Sequence, residues 1–136
     1  MGAIRTQTTS LAAAPRELAI CRIAILNGAD YEYGHHFPLL TDALPDTPKE
    51  TLEAVLRLDA FVVPGEAELP DAKLRAVFRY TDAMTKSVAV PQEVFEGLQG
   101  LCEEREVVEV TAVVAAYNCV SRFLVALGVG DDETDK

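Results

Sequence analysis

The chain predicts an all-α fold, and three observations carry that reading. Apolar residues recur at three- and four-residue spacing along most of its length. Residues that open and close helices bracket those stretches. The one short apolar run that could be extended has no second strand signal to pair with. With 136 residues, 49% of them apolar, the chain suits a single domain around one hydrophobic core.

The first helix is predicted over Pro15 to Asn27, where Leu18, Cys21, Ala24 and Ile25 fall on neighbouring positions while Arg16, Glu17 and Arg22 are polar. Pro15 suits a first turn and Gly28 the residue just past the end. Asp30 is the expected N-cap of a second helix that runs through Tyr31, Glu32, His35, His36, Leu39 and Leu40 toward Leu44, kinked at Pro38. Thr47-Pro48-Lys49-Glu50 reads as a capping box with proline at the first helical position, opening a third helix through Leu52, Val55, Leu56 and Leu58. Ala60 to Leu69, with Phe61-Val62-Val63-Pro64-Gly65, is assigned to a loop.

Asp71 caps a fourth helix through Leu74, Val77, Phe78, Thr81 and Met84, ending near Lys86. Pro91 starts a short fifth one, weakened by Gly97 and Gly100. Glu103 to Leu127 is strongly apolar and too long for a strand. Its stripe of Val107, Val110, Val114, Tyr117, Val120 and Leu124 predicts a central, well-buried helix that ends at Gly128 and Gly130. Residues 15–130 are thus read as the helical domain, 1–14 as an amino-terminal segment and 131–136 as a frayed acidic tail. The triplets Arg16-Glu17-Leu18 and Arg105-Glu106-Val107 form a faint internal echo that carries little weight.

Charge narrows the partners. Twelve basic against 22 acidic residues leave a net charge of -10, and the cations are scattered singly, so neither nucleic acid nor an anionic membrane surface is an expected partner. Cys21, Cys102 and Cys119 show no CxxC pair and no metal-ligand spacing, and read as free thiols of a reducing compartment. No signal-like apolar run opens the chain, and no stretch of about 18 uncharged apolar residues occurs. A cytoplasmic protein is expected.

The unusual chemistry lies in Tyr31-Glu32-Tyr33-Gly34-His35-His36. Glu32 precedes the chain's two histidines by three and four residues, so a helix sets its carboxylate beside either imidazole. Such a pair is suited to proton transfer near neutral pH, and it is equally what two helix-surface histidines satisfied by a local acid look like. Glu32 and His35 also form the Glu-x-x-His spacing of di-metal bundles, which require it twice. A mononuclear site from Glu32, one histidine and a distant carboxylate stays open, but neither a metal nor another cofactor is expected. No cysteine has a cationic neighbour or helix amino terminus to activate it, and hydrolase, phosphate-loop and dinucleotide motifs are absent.

Arg16-Glu17-Leu18-Ala19-Ile20 and Asn27-Gly28-Ala29-Asp30-Tyr31-Glu32-Tyr33-Gly34-His35-His36 resemble the AhpD-like, carboxymuconolactone-decarboxylase superfamily. The resemblance extends over Leu74 to Lys86 and Val107 to Val129, with Ala115 to Phe123 its most specific part. It implies an AhpD-like bundle of about five to six helices, assembled as a trimer or hexamer. It also implies that one or two helices common before the position of Arg5 are missing here. In that register Glu17 stands for the relay carboxylate of the peroxidase branch and His36 for its histidine, while Ala29 and Glu32 stand where its two cysteines would be.

Without those thiols, disulfide-cycling peroxide reduction has no sulfur to run on. The resemblance then points to the decarboxylase branch: a cofactor-independent lyase or isomerase acting on a small organic acid or lactone. His36 would be the general acid/base, Glu17 its orienting partner and Glu32 a second proton carrier. Tyr31 or His35 would donate a hydrogen bond to substrate. Arg122 is a candidate to hold a substrate carboxylate, and equally a surface cation near a helix end. Two alternatives stand beside this reading: an alkylhydroperoxidase-like antioxidant that recruits Cys21 or Cys119, and a catalytically silent oligomeric binding protein.

Overall fold

The structure, a computed structural model, describes residues 11–130. The expectations for residues 1–10 and for the acidic tail lie outside the described residues. Among the described residues six helices follow one another: α1 (Ala13–Asn27), α2 (Asp30–Ala43), α3 (Lys49–Leu56), α4 (Ala72–Ser87), α5 (Gln92–Gln99) and α6 (Glu104–Ala126). Among the described residues there is no strand, so the fold is an all-α bundle. The 60–69 stretch is a loop, as its lack of a pairing partner required.

The central helix is α1, not α6. α1 packs against α2, α4 and α6, and its whole stretch from Glu17 to Ala24 is buried, Glu17 and Arg22 included. The polar face read for Arg16, Glu17 and Arg22 is therefore not a solvent face. Its charges are tolerated inside because each finds a partner, the condition for burying an ion. α6 lies at the edge. Val107, Val110, Val113, Val114, Tyr117 and Ser121 are buried against the bundle, while Val108, Ala112, Ala115, Cys119 and Phe123 on its other side are exposed. Apolar composition gave that helix the look of a core element, but among the described residues only one of its faces is packed against a neighbour.

Two apolar clusters flank α1. Ala19, Ile20 and Ile23 pack with α4, α5 and α6 around Val77, Leu98, Val110 and Val114. Leu18 and Cys21 pack with α2, α3 and α4 around Phe37, Leu40, Leu52 and Phe78.

The connections explain how α2 is aimed. Gly28 closes α1 in the left-handed region at φ 68°, where its N–H reaches the Ile25 carbonyl at 3.2 Å and that of Ala29 the Ala24 carbonyl at 2.8 Å. The turn is so tight that Ala29 is the N-cap of α2 and Asp30 its first residue, so the helix starts one place earlier than Asp30 as the cap would give. Asp30 and Glu32 instead place negative charge in the first turn, where the helix dipole favours it. Pro15 falls in the first turn of α1, which starts two residues earlier than expected. Pro38 is accommodated inside α2.

The capping box expected at Thr47–Glu50 does not form. Pro48 is itself the N-cap, which puts the Thr47 hydroxyl one residue outside the helix, and α3 ends at Leu56 before reaching Leu58. A reciprocal box forms instead at Glu103 and Glu106, opening α6. Asp71 does cap α4, accepting from the Lys73 N–H at 2.8 Å.

Candidate functional site

The tight turn at Gly28 folds α2 back along α1, so that the inward face of α2 meets the amino-terminal half of α1. Glu32 and His36, one helical turn apart, share that inward face. His36 Nδ1 lies 2.7 Å from Oε1 of Glu17, across 19 residues of sequence. The Glu17 side chain is almost wholly enclosed, and His36 retains 12% of its side-chain surface. Its other oxygen, Oε2, accepts from Arg16 Nε at 3.1 Å.

These contacts fix the protonation pattern. Burial by itself would push the Glu17 carboxyl up, but the hydrogen bonds from His36 and Arg16, with their charges, outweigh it and hold the group below the usual carboxylate range. An ionised carboxylate only accepts. Nδ1 of His36 must then carry the hydrogen, which leaves Nε2 as the nitrogen that can take up or release a proton. The Tyr117 ring and the imidazole pack edge to face, 5.4 Å between centroids and at 80°.

Glu32 differs from Glu17 in every respect but burial. It is 4% exposed, and among the described residues its Oε1 has no hydrogen-bond partner. Burial pushes its carboxyl up to about 7, against the attraction of the nearby His36. It is thus a carboxylic acid divided between neutral and ionised forms near neutral pH. One helix turn away stands the His36 imidazole, its Nδ1 engaged by Glu17 and its Nε2 outside that contact.

The other residues singled out in the sequence are not brought to this pair. Tyr31 and His35 are exposed and face each other at 4.4 Å between ring centroids, on the outer side of α2. One residue of offset rotates a helical side chain by about 100°, so His35 and His36 cannot share the Glu17 contact. Arg122 is exposed and engaged elsewhere, donating to Asn118 Oδ1 and, at 3.2 Å, to the Thr85 carbonyl. Asn118 also accepts from Asn27 at 3.0 Å, so this is a network tying the end of α1 to α4 and α6. Among the described residues no group of three or more His, Cys, Asp and Glu side chains is gathered as metal ligands would be.

Cys21 adjoins the site one turn along α1 from Glu17. Burial pushes its thiol up, and the negative charges of Glu17 and Glu32 add to that. Such a thiol is a poor source of thiolate. Cys119 lies on the exposed side of α6.

Sequence reasoning missed Tyr117 and Arg16 as members of the site. Tyr117 is one more apolar position of the α6 stripe, and Arg16 precedes its partner by one residue, a spacing that does not make neighbours on a helix face. A second missed cluster is Arg22 with Asp82. Arg22 is fully buried, and its guanidinium makes two bonds to the Asp82 carboxylate at 2.7 and 2.8 Å. It also donates to the carbonyls of Leu56 at 2.8 Å, Leu58 at 2.6 Å and Asp59 at 3.2 Å, so all five of its N–H donors are used. Asp82 Oδ2 accepts from Phe61 N–H at 2.9 Å, where the backbone takes a positive φ of 71°. Residue order alone gave no sign that a cation 60 positions from its partner would hold the 57–61 turn.

No family model and no curated protein matches the chain.

Proposed function

We propose that the chain is a cofactor-independent acid–base enzyme of the AhpD-like, carboxymuconolactone-decarboxylase type, acting as a lyase or isomerase on a small organic acid or lactone. The observation that supports it most is the juxtaposition, around one imidazole, of two buried carboxyls shifted in opposite directions. Glu17 is held ionised, while Glu32 is pushed to about 7. Divergent environments for paired titratable groups are what acid–base division of labour requires.

In this reading His36 Nε2 removes a proton from carbon next to the substrate carbonyl. The C–H electron pair moves into the carbonyl as an enolate, and Glu17 stabilises the imidazolium through Nδ1. Neutral Glu32 then delivers a proton to the conjugated carbon, which shifts the double bond. His36 returns its proton to Glu32, directly or through water, and the cycle closes. For a β-carboxylate substrate, loss of carbon dioxide leaves the same electron pair in the same enolate, Glu32 protonates the carbon to complete decarboxylation, and water supplies the replacement proton to Glu32. Tyr31, His35 and Arg122 have no part in these steps. Recruitment of Cys21 for peroxide reduction is disfavoured by its burial between two acidic groups.

The test compares metabolite profiles of cells producing the wild-type chain or His36→Gln. One acid or lactone should accumulate in the variant, and purified wild-type protein should consume it in deuterated water with deuterium incorporated at carbon. Identical profiles, with no exchange on any accumulating acid or lactone, would leave the chain as a silent binding protein. Loss of a peroxide-consuming activity on alkylating the thiols would replace this reading with the antioxidant one.

A further inference from the structure

An organic acid is an anion, and the chain as a whole repels anions, with a net charge of -10. Within the site Glu17 is ionised and Glu32 stands close by. A substrate carboxylate is therefore held there by direct contact with a cation. Arg122, the guanidinium expected from the sequence for that task, belongs to the network of Asn118 and Thr85. Among the described residues Arg16 is the one Arg or Lys bonded to the Glu17–His36 pair.

Two features set Arg16 apart from a simple counter-ion. The first is spare donor capacity. Its Nε donates to Glu17 Oε2 at 3.1 Å, and Nη1 donates to the Leu11 carbonyl at a long 3.4 Å. Of the five N–H donors of a guanidinium, three have no partner among the described residues: both on Nη2 and one on Nη1. Arg22, less than two turns further along α1, spends all five.

The second feature is access. Arg16 and His36 bond the two oxygens of one carboxylate, and their side chains keep 18% and 12% of their surface where that of Glu17 keeps 1%. Solvent thus reaches the guanidinium and the imidazole but not the group between them. A ligand that touches both is short, since one carboxylate separates them.

We propose that Arg16 holds the carboxylate of a short β- or γ-oxo acid on its free Nη donors, while the carbon beside the oxo group meets His36. Two parallel N–H···O bonds would fix the direction of the acid as well as balance its charge. The inference rests on the acid–base reading above and narrows it. A neutral lactone would leave those donors unpaired, so an oxo acid is the substrate class.

The test titrates the full chain, labelled for nitrogen resonance, with levulinate, a γ-oxo acid, and with its uncharged methyl ester. In the wild type levulinate should shift the His36 ring signals saturably and bind about tenfold or more tighter than the ester. Arg16→Gln should bring the acid down to the level of the ester while His36 keeps its hydrogen on Nδ1. Arg16→Lys should keep part of the preference, because the charge remains and the fork is lost. Arg122→Gln should keep all of it.

A purely structural Arg16 would, when replaced, displace the imidazole and weaken acid and ester together, and that result overturns the proposal. So do equal wild-type affinities for the two probes, or no saturable shift by levulinate up to about 0.1 M. Loss of the preference in Arg122→Gln overturns it as well. The two readings fail separately. A charge preference that depends on Arg16, with no deuterium exchange into the bound acid, upholds the carboxylate site and sinks the enzyme. Exchange that is indifferent to Arg16→Gln does the reverse.

Discussion

Two buried ionic clusters hang from different sides of α1, five residues apart, and they differ in how fully their hydrogen-bonding capacity is used. Around Arg22 every donor has an acceptor, and Asp82 takes a backbone N–H besides. Around Glu17 and His36 capacity is left over: an imidazole engaged by Glu17 through Nδ1 alone, and a carboxyl oxygen of Glu32 with no partner among the described residues. A saturated cluster has one stable protonation state and serves to fix geometry. An unsaturated one can exchange a proton or accept a ligand atom. Burial alone would have ranked the two alike.

Breaking the saturated cluster should have the largest effect. Asp82→Ala leaves the Arg22 charge buried without its counter-ion and should cost about 3–5 kcal/mol, seen as a lower denaturant midpoint. Replacing both partners, Arg22→Met with Asp82→Leu, should cost less than the single change, because no charge is then left uncompensated. If the double variant is the less stable, the turn at 57–61 depends on the guanidinium more than on charge balance.

Next in size is the activity of the unsaturated cluster. His36→Gln should lower product formation by about 10²–10⁴-fold, the range of general acid–base catalysis, while melting temperature moves little. Glu17→Gln should lose activity too, because a neutral amide cannot stabilise the imidazolium, yet still accept from Arg16 and so spare stability. A stability loss matching that of Asp82→Ala would place Glu17 among the structural groups.

The pH dependence sharpens the contrast further. Folded Glu32 holds its proton more tightly than the unfolded chain does, with a value of about 7 against the ordinary 4.5. Between those values the native state binds more protons, so stability falls as pH rises from 4.5 and levels off above about 7. Glu32→Gln should flatten that slope and raise stability at pH 8 by about 1–3 kcal/mol, read from denaturant curves across pH. Glu17 works in the opposite direction: its folded value is lowered, so its contribution is present above 4.5 and is lost as pH falls below that. A slope unchanged in Glu32→Gln would mean that the carboxyl is solvated and no acid. The smallest effect belongs to His35→Gln, which should leave activity within about twofold and stability within about 0.5 kcal/mol, since the ring faces outward.

The sequence was a sound guide wherever a local rule sufficed. Apolar spacing and boundary residues located the six helices seen among the described residues, and Gly28 and Asp71 marked boundaries correctly. It failed where a residue's neighbour is distant. Arg22 read as one of the polar positions of α1 because its partners at Leu56, Leu58, Asp59 and Asp82 are 34 to 60 residues away. Thr47 looked like a cap by spacing, and one residue of phase removed it.

What the residues determined by themselves is the helical class and the supply of chemistry: a glutamate opening the first helix, and a glutamate and histidine one turn apart on the second. Periodicity and capping are local, and a chain carries them in its order. Which of two adjacent histidines turns inward, which helix is surrounded, and which carboxyl is pushed up by burial were decided only by packing. Those properties depend on which surfaces exclude water from which groups, and that is set by elements far apart in the chain.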